Sequence, residues 1–146
     1  MDTIAIDLCG CLLPLAVSLF IALNSRIDLG LLAILLTLSI TIASINTVLS
    51  SRSIVVNVLR HSISLFLLSL TLFRSYGCYF YILPLVSAIG IILGSDILPY
   101  VFMRPMLRNL KKILIIGGAK TLDAINISTI LIMIMALTYI VLSRIL

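Results

Sequence analysis

Two carboxylates in this chain have almost nothing polar around them. Asp96, in Gly94-Ser95-Asp96, and Asp123, in Gly117-Gly118-Ala119-Lys120-Thr121-Leu122-Asp123, are two of only five acidic residues, and each abuts a long apolar run. A carboxylate held beside hydrocarbon is costly, so the pair is a candidate functional site. Brought to one face, two aspartates can activate a water for hydrolysis, one carboxyl serving as acid and the other as base. They can also line a cation or proton pathway, with Asn46 and Asn57 as further oxygen ligands. The plainest alternative is structural: Asp96 paired to Arg108, Lys111 or Lys112 at a helix terminus, and Asp123 a helix cap beside Lys120.

The expected helix ends separate the two groups. Asp96 is expected at a helix C-terminus, where the macrodipole disfavours an added anion. Asp123 is expected at a helix N-terminus, with Thr121 as the cap, where the dipole favours one. Two such environments push the proton affinities of the carboxyl groups apart.

The chain that must position these groups has 146 residues, 62% of them hydrophobic and 10% charged, with no Glu, Gln or Trp. Its mean hydropathy is +1.35. A water-soluble domain of this length cannot hide so much apolar surface, whereas lipid removes the need to. The expected fold is therefore all-α, a polytopic transmembrane helix bundle forming one integral membrane domain over residues 1–146. Five apolar stretches come near the ~20 residues that a bilayer core requires, at about 4–23, 29–48, 54–73, 78–98 and 122–146. Pro14 is tolerable within the first, because neighbouring helices can satisfy the freed carbonyl. Pro84 interrupts the fourth. No positive leader precedes the first stretch, so it is read as an uncleaved helix.

Charge sets the expected orientation. With the N-terminus cytoplasmic, the inner loops hold Arg52, Arg104, Arg108, Lys111, Lys112 and Lys120, and the outer side only Arg26, Arg74 and Arg144. Asn46, Asn57, Asp96 and Asp123 then all return to the cytoplasmic side, with Arg60 and His61 close by. Lipid penalises isolated polar groups, so the six are expected to form one polar cluster near that interface. Arg60 and His61 are also placed to reach the headgroups. Arg104, Arg108, Lys111 and Lys112 recur at helical spacing within 101–114. They read as an interfacial amphipathic helix on anionic lipid headgroups rather than as a nucleic-acid patch, and the net charge of +5 has the same origin. Cys9, Cys11 and Cys78 show no ligand spacing and read as packing residues, so neither a metal nor a cofactor is expected.

The two aspartate motifs also carry a resemblance. Gly94-Ser95-Asp96-Ile97-Leu98, followed by Ile116-Gly117-Gly118-Ala119-Lys120-Thr121-Leu122-Asp123-Ala124-Ile125, resembles a family of uncharacterised prokaryotic membrane proteins, the domain of unknown function 1614. Its members carry G-A-D-L-L and then I-G-G-A-G-T-F-D-G-I ahead of a final apolar helix. Ser44-Ile45-Asn46-Thr47 resembles that family's F-I-N-I-P, and Val55-Val56-Asn57-Val58 its A-V-N-V-G-G. The likeness runs from about Leu29 to the C-terminus. This chain departs from it at Leu59-Arg60, Lys120 and Ala124, where the family has glycines. The resemblance singles out the same four polar positions and implies a membrane protein, but names no reaction.

Three functions follow as expectations. The first is a small structural or complex-forming protein of the cell membrane, not an enzyme, with the lipid bilayer and other membrane subunits or further copies of itself as partners. The second is an intramembrane hydrolase using Asp96 and Asp123. Gly94-Ser95-Asp96 lacks the second glycine of the G-x-G-D motif of aspartyl proteases of the bilayer, so that likeness is an analogy only. The third is the cation or proton pathway.

Overall fold

The computed structural model describes residues 3–23, 25, 28–49, 54–73, 77–102, 113–116 and 123–145. Five helices dominate it: α1 (Leu8–Leu23), α2 (Leu29–Ile45), α3 (Val58–Leu72), α4 (Leu83–Phe102) and α5 (Ala124–Ile145). The all-α expectation holds at that level. α4 and α5 are long and apolar enough to cross a membrane, whereas α1, α2 and α3 have 17 residues or fewer.

Four short strands, β1 (Thr3–Ile6), β2 (Thr47–Leu49), β3 (Ile54–Val56) and β4 (Ile113–Ile116), and a 3₁₀ turn over Gly77–Tyr81, which delays the fourth helix from the expected residue 78 to Leu83, complete the described chain. β2 and β3 form an antiparallel hairpin with Thr47 opposite Val56, and Asn57 donates its N–H to the Asn46 carbonyl at 3.0 Å. β1 runs parallel to β4, Thr3 opposite Ile113 through Ile6 opposite Ile116, and the Asp7 N–H continues the ladder to the Ile116 carbonyl at 2.9 Å. β-branched residues favour such pairing. The parallel pair brings the start of α1 to the start of α5.

These strands correct several expected boundaries. The first helix starts at Leu8 rather than at residue 4, because Thr3–Ile6 are extended and the Asp7 carboxylate caps the N–H groups of Cys9 and Gly10, both at 2.9 Å. The third starts at Val58 rather than 54, with Asn57 as its cap. Pro84 does not interrupt the fourth helix but stands in its first turn, where a missing N–H is harmless. Within the expected interfacial segment 101–114, Val101 and Phe102 close α4 and the strand β4 opens at Ile113. Arg104, Arg108, Lys111 and Lys112 lie outside the described residues, as do Arg26, Arg52, Arg74, Lys120 and Thr121.

α4 is the axis of the bundle. Between Leu83 and Ile91 every residue except Ile89 is buried, and α4 touches α1, α2, α3 and α5. A helix apolar on all sides belongs in the middle. Its contact with α2 is made by small residues: Gly90 and Gly94 lie against Ser39, Ile40 and Ala43, so close that a Cβ on either glycine would collide. This glycine-x-x-x-glycine spacing lets two backbones approach directly.

α1 and α4 are not regular throughout. Leu8–Leu12 and Ile92–Ile97 are wound as π turns, in which Leu13 N–H reaches Leu8 and Leu98 N–H reaches Leu93. Each is followed within two residues by a proline, Pro14 and Pro99. Proline has no N–H to give and its ring crowds the carbonyl four residues back, so the helix widens just ahead of it. α4 therefore continues through Asp96 to Phe102 instead of ending there.

Candidate functional site

The two π turns carry one side chain each that bears on the site, Cys11 and Asp96. Cys11 lies in the first turn and is 3% exposed. Asp96 lies in the second and is half-buried. Asp123 caps α5, accepting the Ile125 N–H on its carboxylate at 3.0 Å, while its own carbonyl accepts from Ile127. Asp123 acts electrostatically on Asp96, and the carboxylates of Asp7, Asp96 and Asp123 all act on Cys11. Cys11 belongs to one apolar cluster with Ala43, Ala88, Ile91, Ile116 and Ile125.

Asp123 therefore occupies the helix N-terminus expected of it, and serves as cap itself. Asp96 does not occupy a C-terminus: Pro99 is absorbed by the π turn, the helix runs on, and the dipole argument for Asp96 lapses. Cys11 is buried in an apolar cluster, as a packing residue should be, whereas Cys9, expected to pack as well, is exposed. The residue the sequence reading overlooked at this end is Asp7, whose signal is its place just ahead of an apolar helix, as a cap stands.

The asparagines form a second pair. The hairpin joins Asn46 to Asn57 through their backbones. Asn46 Nδ2 donates to the Ile42 carbonyl at 2.9 Å, and Asn57 Oδ1 accepts from the Arg60 N–H at 3.1 Å. Each amide thus closes the end of its own helix. β3 touches the π turn that carries Asp96, which puts this pair at the same end of the bundle as the aspartates. Arg60 is exposed.

His61 is different: it is fully buried, so it does not reach the headgroups as expected of it. Its Nε2 lies 3.3 Å from Ser87 Oγ, which lies 2.7 Å from Ser128 Oγ, which in turn lies 2.8 Å from Ser62 Oγ. The four side chains tie α3, α4 and α5 together, all at 0% exposure, and Nδ1 of His61 has no partner among the described residues. Other hydroxyls of the bundle bond back to their own helix: Ser18 to Leu15, Thr41 to Thr37 and Leu38, Ser69 to Leu65, Ser95 to Ile91 and Thr129 to Ile125. Nothing in the apolar pattern separates Ser62, Ser87 and Ser128 from those.

An open apolar cleft of about 540 Å³ adjoins this end, lined by Val48, Val55, Val56, Asn57, Leu59 and Ile127 among others. Among the described residues no group of three or more His, Cys, Asp or Glu side chains is arranged to hold a metal ion.

Residues 1–135 match the family described as "Protein of unknown function (DUF1614)", and the chain belongs to that family. The match includes the first helix, ahead of the portion from Leu29 onward that carries the shared motifs. Neither the curated proteins nor the solved structures yield a match.

Proposed function

We propose that this member of the family is a multi-pass integral membrane protein, crossing the cell membrane five times with its N-terminus cytoplasmic, and that it works as a small complex-forming component. The observation that supports this is its burial pattern. Ser18, Ser39, His61, Ser62, Ser69, Ser87, Ser95 and Ser128 are completely buried, while Phe20 (70%), Leu23 (69%) and Leu29 (79%) are largely exposed. In water that arrangement exposes apolar surface on every side; in lipid it is the favourable one, because small polar residues join helices and leucines meet acyl chains.

The shorter helices fit the same reading. α3 has 15 residues and is about 22 Å long at 1.5 Å per residue. That is shorter than the ~30 Å of a hydrocarbon core, a mismatch met by local thinning of the bilayer while the exposed Arg60 reaches the headgroups. Pairing of β2 with β3 satisfies only the backbone groups that face each other, so this hairpin, two-stranded among the described residues, belongs at the membrane interface rather than in lipid.

Single cysteines placed at Ser75 and Lys112, both outside the described residues, test the topology. A membrane-impermeant thiol reagent should label them from opposite sides, and labelling of both from one side refutes it. Purification from native membrane in mild detergent tests the complex: a chain running alone as a monomer removes the complex-forming role.

A second reading has its own support in the electrostatic influence of Asp123 on the half-buried Asp96. It is an intramembrane hydrolase, in which the pair activates a water against an amide bond of a membrane-embedded peptide. Asp96→Asn and Asp123→Asn should each abolish cleavage, and Asn46→Ala should leave it near the wild-type rate. Cleavage that survives both aspartate changes excludes the pair.

A further inference from the structure

We infer that the cleft between the β2–β3 hairpin, the first turn of α3 and the start of α5 seats an acyl chain of an anionic phospholipid, with Arg60 holding the lipid phosphate. This rests on the reading of the chain as a membrane protein and names one partner it keeps there. The cleft, of about 540 Å³, falls within the ~300–1,000 Å³ of small-ligand sites. Apart from Asn57 its walls are Val, Leu and Ile side chains, and Asn57 Oδ1 already accepts the Arg60 N–H at 3.1 Å.

The length of α3 brings a headgroup to this place. At about 22 Å the helix is too short for the hydrocarbon core, so the bilayer thins around it and headgroups settle at its first turn. The hairpin belongs at the same level, and the cleft it walls therefore opens among headgroups. A lipid there has its phosphate at the rim and its chains against the apolar walls. Farther from the rim the apolar track continues. Ile63 and Leu67 are exposed one and two turns beyond Leu59 on α3, and Ile130 and Ile134 are exposed beyond Ile127 on α5. These two helices pack on each other, and Leu59 to Leu67 spans about 12 Å.

Charge selects an anion. Arg60 follows the cleft residues Asn57, Val58 and Leu59 and is exposed in the first turn of α3, the end of a helix where the macrodipole disfavours a cation. A phosphate beside it meets the guanidinium and the positive helix end at once, which makes the placement favourable. β2, β3, α3 and the stretch 124–137 of α5 carry no acidic residue to neutralise Arg60. Asp123, just ahead of α5, has its carboxylate on the Ile125 N–H.

One cation at the rim of an apolar wall fits an amphiphile with one charged head and an apolar tail. A soluble phosphate has no use for the walls, and an uncharged lipid has none for Arg60. The other arginine among the described residues, Arg144, lies in the last turn of α5, far from Ile127 along that helix, and serves as a control.

The test offers the detergent-extracted protein equal amounts of phosphatidylglycerol and phosphatidylcholine with the same acyl chains, and reads the bound lipid by native mass spectrometry. Phosphatidylglycerol should be retained about fivefold over phosphatidylcholine, the factor that about 1 kcal/mol from one basic residue gives. Arg60→Gln should bring the two lipids to equal retention, and Arg144→Gln should leave the preference as in the wild type. Val55→Phe, at a cleft residue that is 56% exposed, should lower retention of both lipids. Excess glycerol 3-phosphate should displace neither. Equal retention by the wild type, an unchanged preference in Arg60→Gln, an equal loss in Arg144→Gln, undiminished retention in Val55→Phe, or displacement by glycerol 3-phosphate overturns the site. The preference and the displacement are read on unaltered protein, so a variant that fails to fold does not shelter the proposal. A chain that stays in solution without detergent refutes the membrane reading and the site together, whereas one that needs detergent but shows no lipid preference refutes the site alone.

Discussion

Adding one methyl group to α4 should separate it from α2. At Gly94 a Cβ would stand 2.5 Å from the Ile40 carbonyl oxygen, 2.8 Å from Ala43 Cβ and 3.3 Å from the Ile40 carbonyl carbon. Two of those three atoms are backbone, so no rotamer change relieves the contact. The helices must move apart, and the bond from Ser44 Oγ to the Gly94 carbonyl, 3.1 Å long, is stretched with them. Overpacking of this kind costs about 1–3 kcal/mol, and the better helix propensity of alanine returns roughly 0.5–1 kcal/mol. Gly94→Ala should therefore destabilise the bundle by about 1–2 kcal/mol, which at about 2–4 °C per kcal/mol lowers its midpoint by about 2–8 °C. At Gly90 the added atom would strike the Ser39 side chain, with Ser39 Cβ at 2.6 Å and its carbonyl carbon at 3.1 Å. Gly90→Ala should be damaging alone and partly rescued by Ser39→Gly, which removes the side chain but not the backbone. Thermal unfolding of the four Gly90/Ser39 combinations in one detergent measures this coupling as a double-mutant cycle. Equal or higher midpoints for Gly94→Ala and Gly90→Ala, or no coupling between positions 39 and 90, would refute the close-approach argument.

Three further outcomes follow from the caps and the charge distribution. Asp123→Ala should cost about 1 kcal/mol through loss of the bond from the Ile125 N–H, whereas Asp123→Asn, which keeps a cap oxygen, should cost much less in the same unfolding assay. Asp28→Ala should cost a similar amount by freeing the N–H groups of Gly30 and Leu31, 2.8 and 3.4 Å from its carboxylate, and a midpoint equal to wild type would mean that this cap contributes nothing. Lys111→Glu with Lys112→Glu should weaken docking of the 103–112 stretch on anionic vesicles, since each basic residue near such a surface contributes about 1 kcal/mol. Hydrogen exchange over that stretch, compared between anionic and neutral lipid, checks it: protection independent of lipid charge in the wild type argues against surface docking.

The five helices were legible because their signal is length and apolarity, which survive any error of register. The strands were not. Ile54–Val56 and Ile113–Ile116 are made of the same Ile, Val and Leu as the helices around them, Thr3–Ile6 adds only a Thr and an Ala, and in runs so short and apolar a period of two cannot be told from buried helix. Asp123 was placed correctly because capping is local, a matter of one carboxylate and the next few N–H groups. The serine network was invisible for the opposite reason. A hydroxyl in an apolar helix ordinarily bonds to its own backbone three or four residues back, as Thr37 and Ser69 do, and only the assembled bundle shows which hydroxyls cross between helices.

Asp96 shows how a local rule can be read correctly and still mislead. Pro99 does break the regular ladder of hydrogen bonds, as a proline must. In a helix facing water the break would end the helix, because the stranded carbonyls find solvent. At the centre of a bundle there is no solvent to find, and widening into a π turn keeps the backbone bonded through Leu98 N–H to Leu93. Pro14 has the same effect behind Leu8–Leu12, where Leu13 reaches Leu8. Each widened turn advances the following residues around the helix axis by one position, and one of the turns carries Cys11 and the other Asp96. Two prolines that a linear reading treats as interruptions thus shape the turns that carry Cys11 and Asp96, and Asp7 and Asp123, from the caps of α1 and α5, act on Cys11 together with Asp96.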